Sequence, residues 1–187
     1  PPSNICDTSN LPKFWTYPML QFVSLQIVRV ENPSNFVVIP MEQREALEKL
    51  EIAIAQYFSA NNSDPATSLS DVVVYAVKSK DVFRRALYVN PLGDVVKVFL
   101  PDHQLYDTVH PSELFLLPQQ FYSLPFLANK SRLGGVVPNG QDWSMQVTQW
   151  FKDAVNNKCL YAFVTGEEHS SSSDPRIPGT LVVRLID

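Results

Sequence analysis

Alternating hydrophobic and polar positions mark the first predicted element of the chain. Apolar side chains alternate between Met19 and Val30, and the pattern resumes from Phe36 to Ile39. Such alternation is typical of strands with one buried face, and the residues between the two stretches, Glu-Asn-Pro-Ser-Asn at 31–35, favour a turn. The pattern therefore predicts a β-hairpin over residues 19–39.

A helical period follows the hairpin. Pro40 suits the first turn of a helix, and three acidic residues favour its positively polarised N-terminal end: Glu42, Glu45 and Glu48. Apolar side chains then share one face at helical spacing, namely Leu47, Leu50, Ile54, Tyr57 and Phe58. These positions predict a helix that ends near Ala60, before the turn-forming residues 61–65.

Short runs rich in Val, Phe and Tyr dominate residues 72–117. Turn-forming residues separate these runs, namely Ser79, Asp81, Asn90-Pro91, Gly93-Asp94 and Pro101-Asp102. Several short strands divided by turns are typical of a small, strongly bent antiparallel barrel. We therefore expect this segment to form a β-barrel core.

The rest of the chain predicts an extended segment, a second helix and two closing strands. Residues 116–126 contain two Leu-Pro pairs and are expected to lie extended against the core. Asp142 is the predicted cap of the helix, and its apolar stripe comprises Trp143, Val147, Trp150, Phe151 and Ala154. Helical spacing predicts that Trp143, Trp150 and Phe151 are core. Strands are predicted at 160–165 and 180–186, with a serine-rich surface loop over 167–178 between them.

Composition and charge limit the classes of function. The net charge is −4 and the pI about 5.3, so no global field attracts nucleic acid, whereas an acidic surface favours a basic peptide. Cys6 and Cys159 are too few for a disulfide framework and are not spaced as a metal site, which favours a reducing compartment. We also expect no membrane span and no signal peptide.

Catalytic chemistry has two weak candidates, and we expect neither to work. The densest polar cluster comprises Asp102, His103, Asp107 and His110, which we interpret as a barrel loop whose side chains satisfy backbone groups. Phosphodiester cleavage needs clustered carboxylates and paired arginines, but the arginines are scattered at Arg29, Arg44, Arg132 and Arg176. The prediction is a protein that is not an enzyme, without metal or cofactor.

The order of landmarks resembles an extended Tudor domain. Phe83-Arg84-Arg85-Ala86 stands where that family has Trp-Tyr-Arg-Ala, and Asp102-His103-Gln104-Leu105 where it has Asp-Tyr-Gly-Asn. The segment after the core is also similar, at Leu117-Pro118, Phe121, Leu124-Pro125, Ala128, Leu133, Gly135, Pro138 and Trp143. The resemblance covers roughly residues 20–187. It implies that Arg85 is structural, paired with a carboxylate such as Asp102.

The resemblance implies a fold that is mainly β with helices. A Tudor β-barrel would be inserted into an oligonucleotide-binding-type, staphylococcal-nuclease-like (SN-like) β-barrel and joined to it by a linker helix. Residues 1–187 would form a single extended Tudor domain. Within it, 19–64 would be the N-terminal part of the SN-like lobe with the linker helix, 65–117 the Tudor core, and 118–187 the C-terminal part of the lobe.

The family's methylarginine cage is degenerate in this chain. Aromatic rings bind a methylated guanidinium through their electron-rich faces. The resemblance places the cage at five positions, and none of them holds Phe, Tyr or Trp: Lys78, Arg84, Leu100, His103 and Leu105. If the alignment shifts by one or two residues, Phe83, Phe99 and Tyr106 become candidate rings, and the domain would then be a methylarginine reader.

The resemblance also implies a partner and a place of action. We expect the domain to bind an arginine-rich, unmethylated N-terminal tail of a Piwi-clade Argonaute, as a scaffold of germline piRNA biogenesis and RNA-mediated gene silencing in cytoplasmic, perinuclear germ granules (nuage). Other Tudor-pathway proteins are further candidate partners, and no membrane is expected. The candidate peptide-binding residues are Asp102, His103, Tyr106, Asp107, Phe121 and Phe126. His103 and Asp107 are the cleaner probes, since neither has an obvious structural partner.

A second class of function stays open at this point. Basic and aromatic side chains are interleaved between residues 78 and 88, namely Lys78, Lys80, Phe83, Arg84, Arg85 and Tyr88. Such a mixture can bind single strands by stacking and charge. A single-stranded RNA-binding module is therefore the alternative, although RNA is the less favoured partner.

Overall fold

The computed structural model describes residues 11–79, 82–169 and 176–186. In these ranges the chain forms two α-helices, α1 (Arg44–Ala60) and α2 (Met145–Val155). The strands are β1 (Phe22–Asn32), β2 (Asn35–Pro40), β3 (Val74–Ser79), β4 (Val82–Leu92), β5 (Val95–Leu100), β6 (Leu105–Val109), β7 (Leu114–Leu116), β8 (Asn129–Leu133), β9 (Cys159–Glu168) and β10 (Thr180–Ile186). The predicted hairpin, both helices and both closing strands are therefore present, and the predicted mainly β fold is confirmed.

The chain divides into two compact units. Of the described residues, those within 14–44 and 127–186 form one, which we call the barrel unit. Those within 45–126, together with 11–13, form the other, which we call the inserted unit because it interrupts the barrel unit in sequence. The predicted segment boundaries at 64/65 and 117/118 stay a prediction.

Strands from both sides of the insertion close the barrel unit. They follow the order β1-β2-β8-β10-β9, and β9 pairs back onto β1 with Phe22 opposite Phe163. The barrel encloses a core that includes Leu25, Ile27, Phe36, Val164 and Val183. Strand β8 reads Asn-Lys-Ser-Arg-Leu, so hydrophobic alternation could not indicate it, yet Ser131 is fully buried between β2 and β10.

Helix α2 differs from its prediction at both its start and its exposed face. Ser144 caps it, with its Oγ accepting from the Val147 amide at 3.2 Å, so the predicted Asp142 cap is wrong. Phe151 is buried against Phe36, but Trp150 is 69% exposed, and the prediction that it is core is wrong. The buried stripe runs along Phe151 and Val155, and Trp150 lies about a quarter turn away from it.

The inserted unit combines α1 with a five-stranded antiparallel sheet. The strand order is β6-β5-β4-β3-β7. One sheet face holds a core that includes Tyr75, Val77, Ala86, Val98 and Leu114. Most strands fall in the predicted apolar runs, but Asn90-Pro91, predicted to be a turn, lies within β4 and pairs with Lys97 and Val96 of β5.

An aromatic cluster fixes α1 to the other face of this sheet. Phe58 stacks on Phe83 with ring centroids 5.1 Å apart and contacts Phe115 at 5.4 Å, while Tyr57 meets Phe121 at 5.6 Å. Aromatic pairs at such distances stabilise packing by about 0.5–1.5 kcal/mol beyond their buried area. The helix therefore belongs to the fold of the inserted unit rather than to a free linker.

Candidate functional site

A buried ion pair lies at the centre of the inserted unit. The guanidinium of Arg85 on β4 meets the carboxylate of Asp102 after β5 through two bonds, Nε to Oδ2 at 2.7 Å and Nη2 to Oδ1 at 2.8 Å. Their side chains are 1% and 4% exposed. The bidentate geometry matches a planar fork to a carboxylate, which is the strong form of this contact. The expected pairing of Arg85 with Asp102 is thus confirmed.

Arg85 also holds the segment that follows the sheet. Nη1 donates to the Leu124 carbonyl at 2.6 Å and Nη2 to the Pro125 carbonyl at 2.8 Å, and the guanidinium lies 4.7 Å from the centre of the Phe126 ring. Phe126 is itself 2% exposed. Of the candidate peptide contacts, Asp102 and Phe126 are therefore components of this buried network.

The same burial weakens the RNA hypothesis. Arg85 cannot reach a phosphate because its donors are committed to Asp102 and two carbonyls. Phe83 is stacked on Phe58, and Tyr88 packs at the edge of the sheet core. Lys80 lies outside the described residues. The basic and aromatic residues of 78–88 thus do not form one surface in the part of the chain that the structure describes.

Three of the five degenerate cage positions share one face of the sheet. Leu100 and Leu105 are direct cross-strand partners, and Arg84 projects from β4 on the same face, as the alternation with Ala86 requires. Leu100 is buried, whereas Leu105 is 38% exposed. The Nε of Arg84 is buried without a hydrogen-bond acceptor among the described residues. This face, Arg84 with Leu100 and Leu105, is called the vacated cage below.

Lys78 falls on the opposite face of the sheet. It pairs with Phe83 across β3 and β4, and two residues earlier Ala76 pairs with Phe115. Phe83 and Phe115 are the rings that contact α1. Alternation along β3 therefore separates Lys78 from the core-facing Val77 and from the vacated cage.

His103 has a partner that the sequence did not indicate. Its Nε2 lies 2.7 Å from Oε1 of Glu51 on α1, and both side chains are about a quarter exposed, at 26% and 25%. The expectation that His103 lacks a structural partner is wrong. Glu51 and His103 are far apart in sequence, so no local pattern could have shown the contact. Glu51 thus brings a carboxylate to a cage position.

Gln104 adopts a backbone conformation that glycine prefers. Its φ is +51°, and it stands where the Asp-Tyr-Gly-Asn motif has glycine. Left-handed backbone is unfavourable for a residue that has a side chain. Here the tight turn between the paired strands β5 and β6 holds Gln104 in that conformation. The turn geometry supports the placement of His103 and Leu105 at motif positions, with Leu100 two residues before the motif Asp.

The aromatic rings that an altered alignment would recruit are already occupied. Phe83 is stacked on Phe58, and Phe99 is 2% exposed. Tyr106 is 48% exposed, but its ring contacts Phe99 with centroids 5.1 Å apart and has the ammonium of Lys97 at 4.4 Å. A ligand cation on the Tyr106 ring would therefore have to compete with Lys97.

The remaining candidates are spread over different environments. Asp107 faces the same side of the sheet as Leu105, and its Oδ1 accepts from the Thr108 amide at 2.9 Å. Tyr106 precedes it on β6 and so points to the other side. Phe121 is 7% exposed and packs on Tyr57. The structure thus brings together Asp107 and the vacated cage, but not all six candidate peptide contacts.

The polar cluster considered for catalysis does not converge. Asp102 pairs with Arg85, His103 with Glu51, and His110 caps the turn Pro111–Glu113, with Nδ1 2.7 Å from Ser112 Oγ. In the ranges that the structure describes, no three His, Cys, Asp or Glu side chains are grouped to hold a metal ion. Nor does a described helix have the length and apolarity to cross a membrane.

A family model described as Tudor domain matches residues 18–135, more than half of the chain. The chain belongs to the Tudor domain family. The sequence is 29% identical over 159 residues to Tudor domain-containing protein 7B of Danio rerio, covering 77% of this chain. The chain spans only 14% of that relative's length.

Two solved structures share the fold of this Tudor chain. The human TDRD1 extended Tudor domain, solved with a symmetrically dimethylated peptide, superposes with a TM-score of 0.80 at 19% identity, covering 97% of this chain and 89% of that one. A variant of the Drosophila melanogaster Papi extended Tudor domain with one aspartate replaced by alanine, solved with an unmethylated Piwi N-terminal peptide, gives a TM-score of 0.74 at 18% identity, covering 89% of each chain. The expected extended Tudor fold is therefore confirmed.

Proposed function

We propose that this chain is a non-catalytic protein-interaction module that binds an arginine-rich, unmethylated N-terminal tail of a Piwi-clade Argonaute. The observation that carries the proposal is the vacated cage. Where ring faces would surround a methylated guanidinium, the inserted unit presents Arg84, Leu100 and Leu105 on one sheet face. The solved extended Tudor domains include complexes with a dimethylated and with an unmethylated peptide, so the fold is compatible with either state.

Electrostatics argue against any guanidinium, methylated or unmodified, directly beside Arg84 in the vacated cage. A ligand cation about 4 Å from the Arg84 guanidinium would be repelled by roughly 4 kcal/mol at an effective dielectric near 20, before the side chains move apart. Methylation also removes hydrogen-bond donors from the ligand, and the vacated cage has no ring face that would stabilise the added methyl groups. An unmodified guanidinium keeps all its donors for carboxylates.

Acidic side chains flank the vacated cage and suit a peptide arginine. Asp107 faces the same side of the sheet, and Glu51 reaches the cage position of His103 from α1. We therefore place the peptide contact on Asp107, His103 and Glu51, with Tyr106 at the rim. The buried residues of the candidate set support this contact surface and do not themselves contact the peptide: Asp102, Phe121 and Phe126.

The proposal extends to the setting of the domain. A Piwi-clade tail implies that the parent protein acts as a scaffold in piRNA biogenesis, with other Tudor-pathway proteins as further partners. It also implies a cytoplasmic location in perinuclear germ granules. The Tudor domain-containing relatives and the Piwi peptide bound by Papi support this setting.

A matched peptide pair tests the proposal by calorimetry. One arginine-rich peptide is titrated with its arginines unmodified and, separately, symmetrically dimethylated, and a third version with lysine in place of arginine serves as the control. We expect the unmodified peptide to bind as tightly as the dimethylated one or more tightly, and the lysine version to bind weakly because it lacks the planar fork. A preference of about tenfold or more for dimethylarginine, about 1.4 kcal/mol, would falsify the proposal.

A further inference from the structure

A groove of about 440 Å³ lies in the barrel unit, whereas the vacated cage belongs to the inserted unit. Helix α2, the end of β10 and the segment that follows β8 form its walls. Its lining includes Val136, Trp150, Ala154, Arg184 and Ile186. The volume is in the range of pockets that bind ligands, and most of the lining is apolar.

Trp150 is the largest exposed apolar side chain of this groove. It is 69% exposed, while its neighbour Phe151 is 3% exposed and anchors α2 in the barrel core. A rigid helix thus presents an indole at the groove with little freedom to bury it elsewhere. Tryptophan in such a position is the residue type most often found at the energetic centre of protein interfaces.

Arg184 stands where the groove opens onto the outer face of the barrel. It is exposed and has no hydrogen-bond or ion-pair partner among residues 11–79, 82–169 and 176–186. Directly opposite it on β9 is Phe163, and opposite Phe163 on β1 is Phe22. The two rings are 5.0 Å apart, and Phe22 is 63% exposed. One row across three strands therefore leads from a cation to two aromatic rings.

A second row continues the apolar surface beside the first. Ile186, which lines the groove, is opposite Tyr161, and these side chains are 43% and 63% exposed. Directly paired residues point to the same face of a sheet, so both rows lie on the outside of the barrel. We call the groove together with these two rows the outer track.

We propose that the outer track binds a linear peptide in which one acidic residue lies between two apolar residues. One apolar side chain would enter the groove against Trp150, the carboxylate would pair with Arg184, and the second apolar side chain would lie on Phe163 and Phe22. Charge complementarity decides the occupant, because a lone cation between two apolar surfaces matches a lone carboxylate between two apolar side chains. Single-stranded RNA fits less well, since it needs several cations along its backbone.

The test begins with a selection that does not presuppose the ligand. The whole chain is panned against a phage-displayed library of random dodecapeptides, and the enriched peptides are synthesised and titrated. We expect a consensus with an aspartate or glutamate between two large apolar residues. Trp150→Ala should weaken the synthetic peptide by about tenfold or more. Met145→Ala is the matched control, since Met145 is exposed on the same helix but does not line the groove, and it should leave binding unchanged.

A charge reversal provides the second readout. Arg184→Glu should weaken the acidic peptide by about tenfold or more, and replacing the peptide's acidic residue with lysine should restore binding to this variant alone. The proposal is overturned if the enriched peptides carry no acidic residue, or if Trp150→Ala and Arg184→Glu bind them as the parent chain does. Displacement of the peptide by the arginine-rich tail would overturn it as well, because the outer track would then not be a separate site.

Discussion

Replacing Asp102 with alanine should destabilise the inserted unit far more than a surface substitution does. The carboxylate is 4% exposed and accepts two hydrogen bonds from a guanidinium that is 1% exposed. Without it, Arg85 keeps its bonds to the Leu124 and Pro125 carbonyls and its position over Phe126, but its charge is buried and unpaired.

The expected cost follows from the burial of the pair. Removing one partner of a buried ion pair costs roughly 3–5 kcal/mol, because a desolvated charge is left behind. The double variant Arg85→Leu, Asp102→Leu contains no buried charge. Its cost is the loss of donors for two carbonyls, about 1–3 kcal/mol for each. We therefore expect the double variant to lose clearly less stability than the sum of the two single variants.

Two probes separate the units in this measurement. The three tryptophans, Trp15, Trp143 and Trp150, all belong to the barrel unit, so urea unfolding followed by tryptophan fluorescence reports that unit. Hydrogen exchange of the β4 and β5 amides reports the inserted unit. Asp64→Ala, at an exposed position of the inserted unit, is the matched control and should change little. A decrease of less than about 1 kcal/mol in the free energy of unfolding of the inserted unit for Asp102→Ala would refute the reasoning.

Two further predictions concern the same unit. Asp107→Ala should weaken an arginine-rich peptide by about 1–3 kcal/mol in calorimetry, with Asp64→Ala as the control, and unchanged affinity in a His103→Ala, Asp107→Ala double variant would place the peptide elsewhere. Residues 72–117 expressed alone should show weaker amide protection than within the whole chain, because they lack Phe58 and the carbonyls that Arg85 binds. Equal protection would contradict this.

Elements with strong periodic patterns could be predicted from the sequence. Helix α1 buries one face, with Leu47 and Ile54 in it, and burial of one face gives the sequence a helical period. The hairpin β1–β2 could be predicted from its two apolar stretches and the turn residues between them. The polar strand β8 has no such pattern, because it lies between two strands and its burial rests on Asn129 and Ser131. Sequence alone does not select the cap at Ser144, since Asp142, two residues earlier, is an equally good capping type.

Some contacts of the candidate site could be predicted from the sequence, and others could not. The Arg85–Asp102 pair was predictable because family resemblance places both residues at motif positions. The contact of His103 with Glu51 joins a turn to a helix, and the Lys97 ammonium over Tyr106 joins two strands. Both contacts depend on side-chain conformations that appear only once the backbone is folded. The spacing of residues along the chain therefore does not predict them.

The pairing of β1 with β9 has a consequence for synthesis on the ribosome. Phe22 is synthesised before the inserted unit, but its neighbour Phe163 is synthesised only after it. The inserted unit is complete once Phe126 has emerged, so it can fold while the hairpin β1–β2 still waits for three strands. During that interval the hairpin exposes unpaired edges and apolar residues such as Leu25 and Phe36. Chaperone binding to nascent chains should therefore concentrate on residues 22–40.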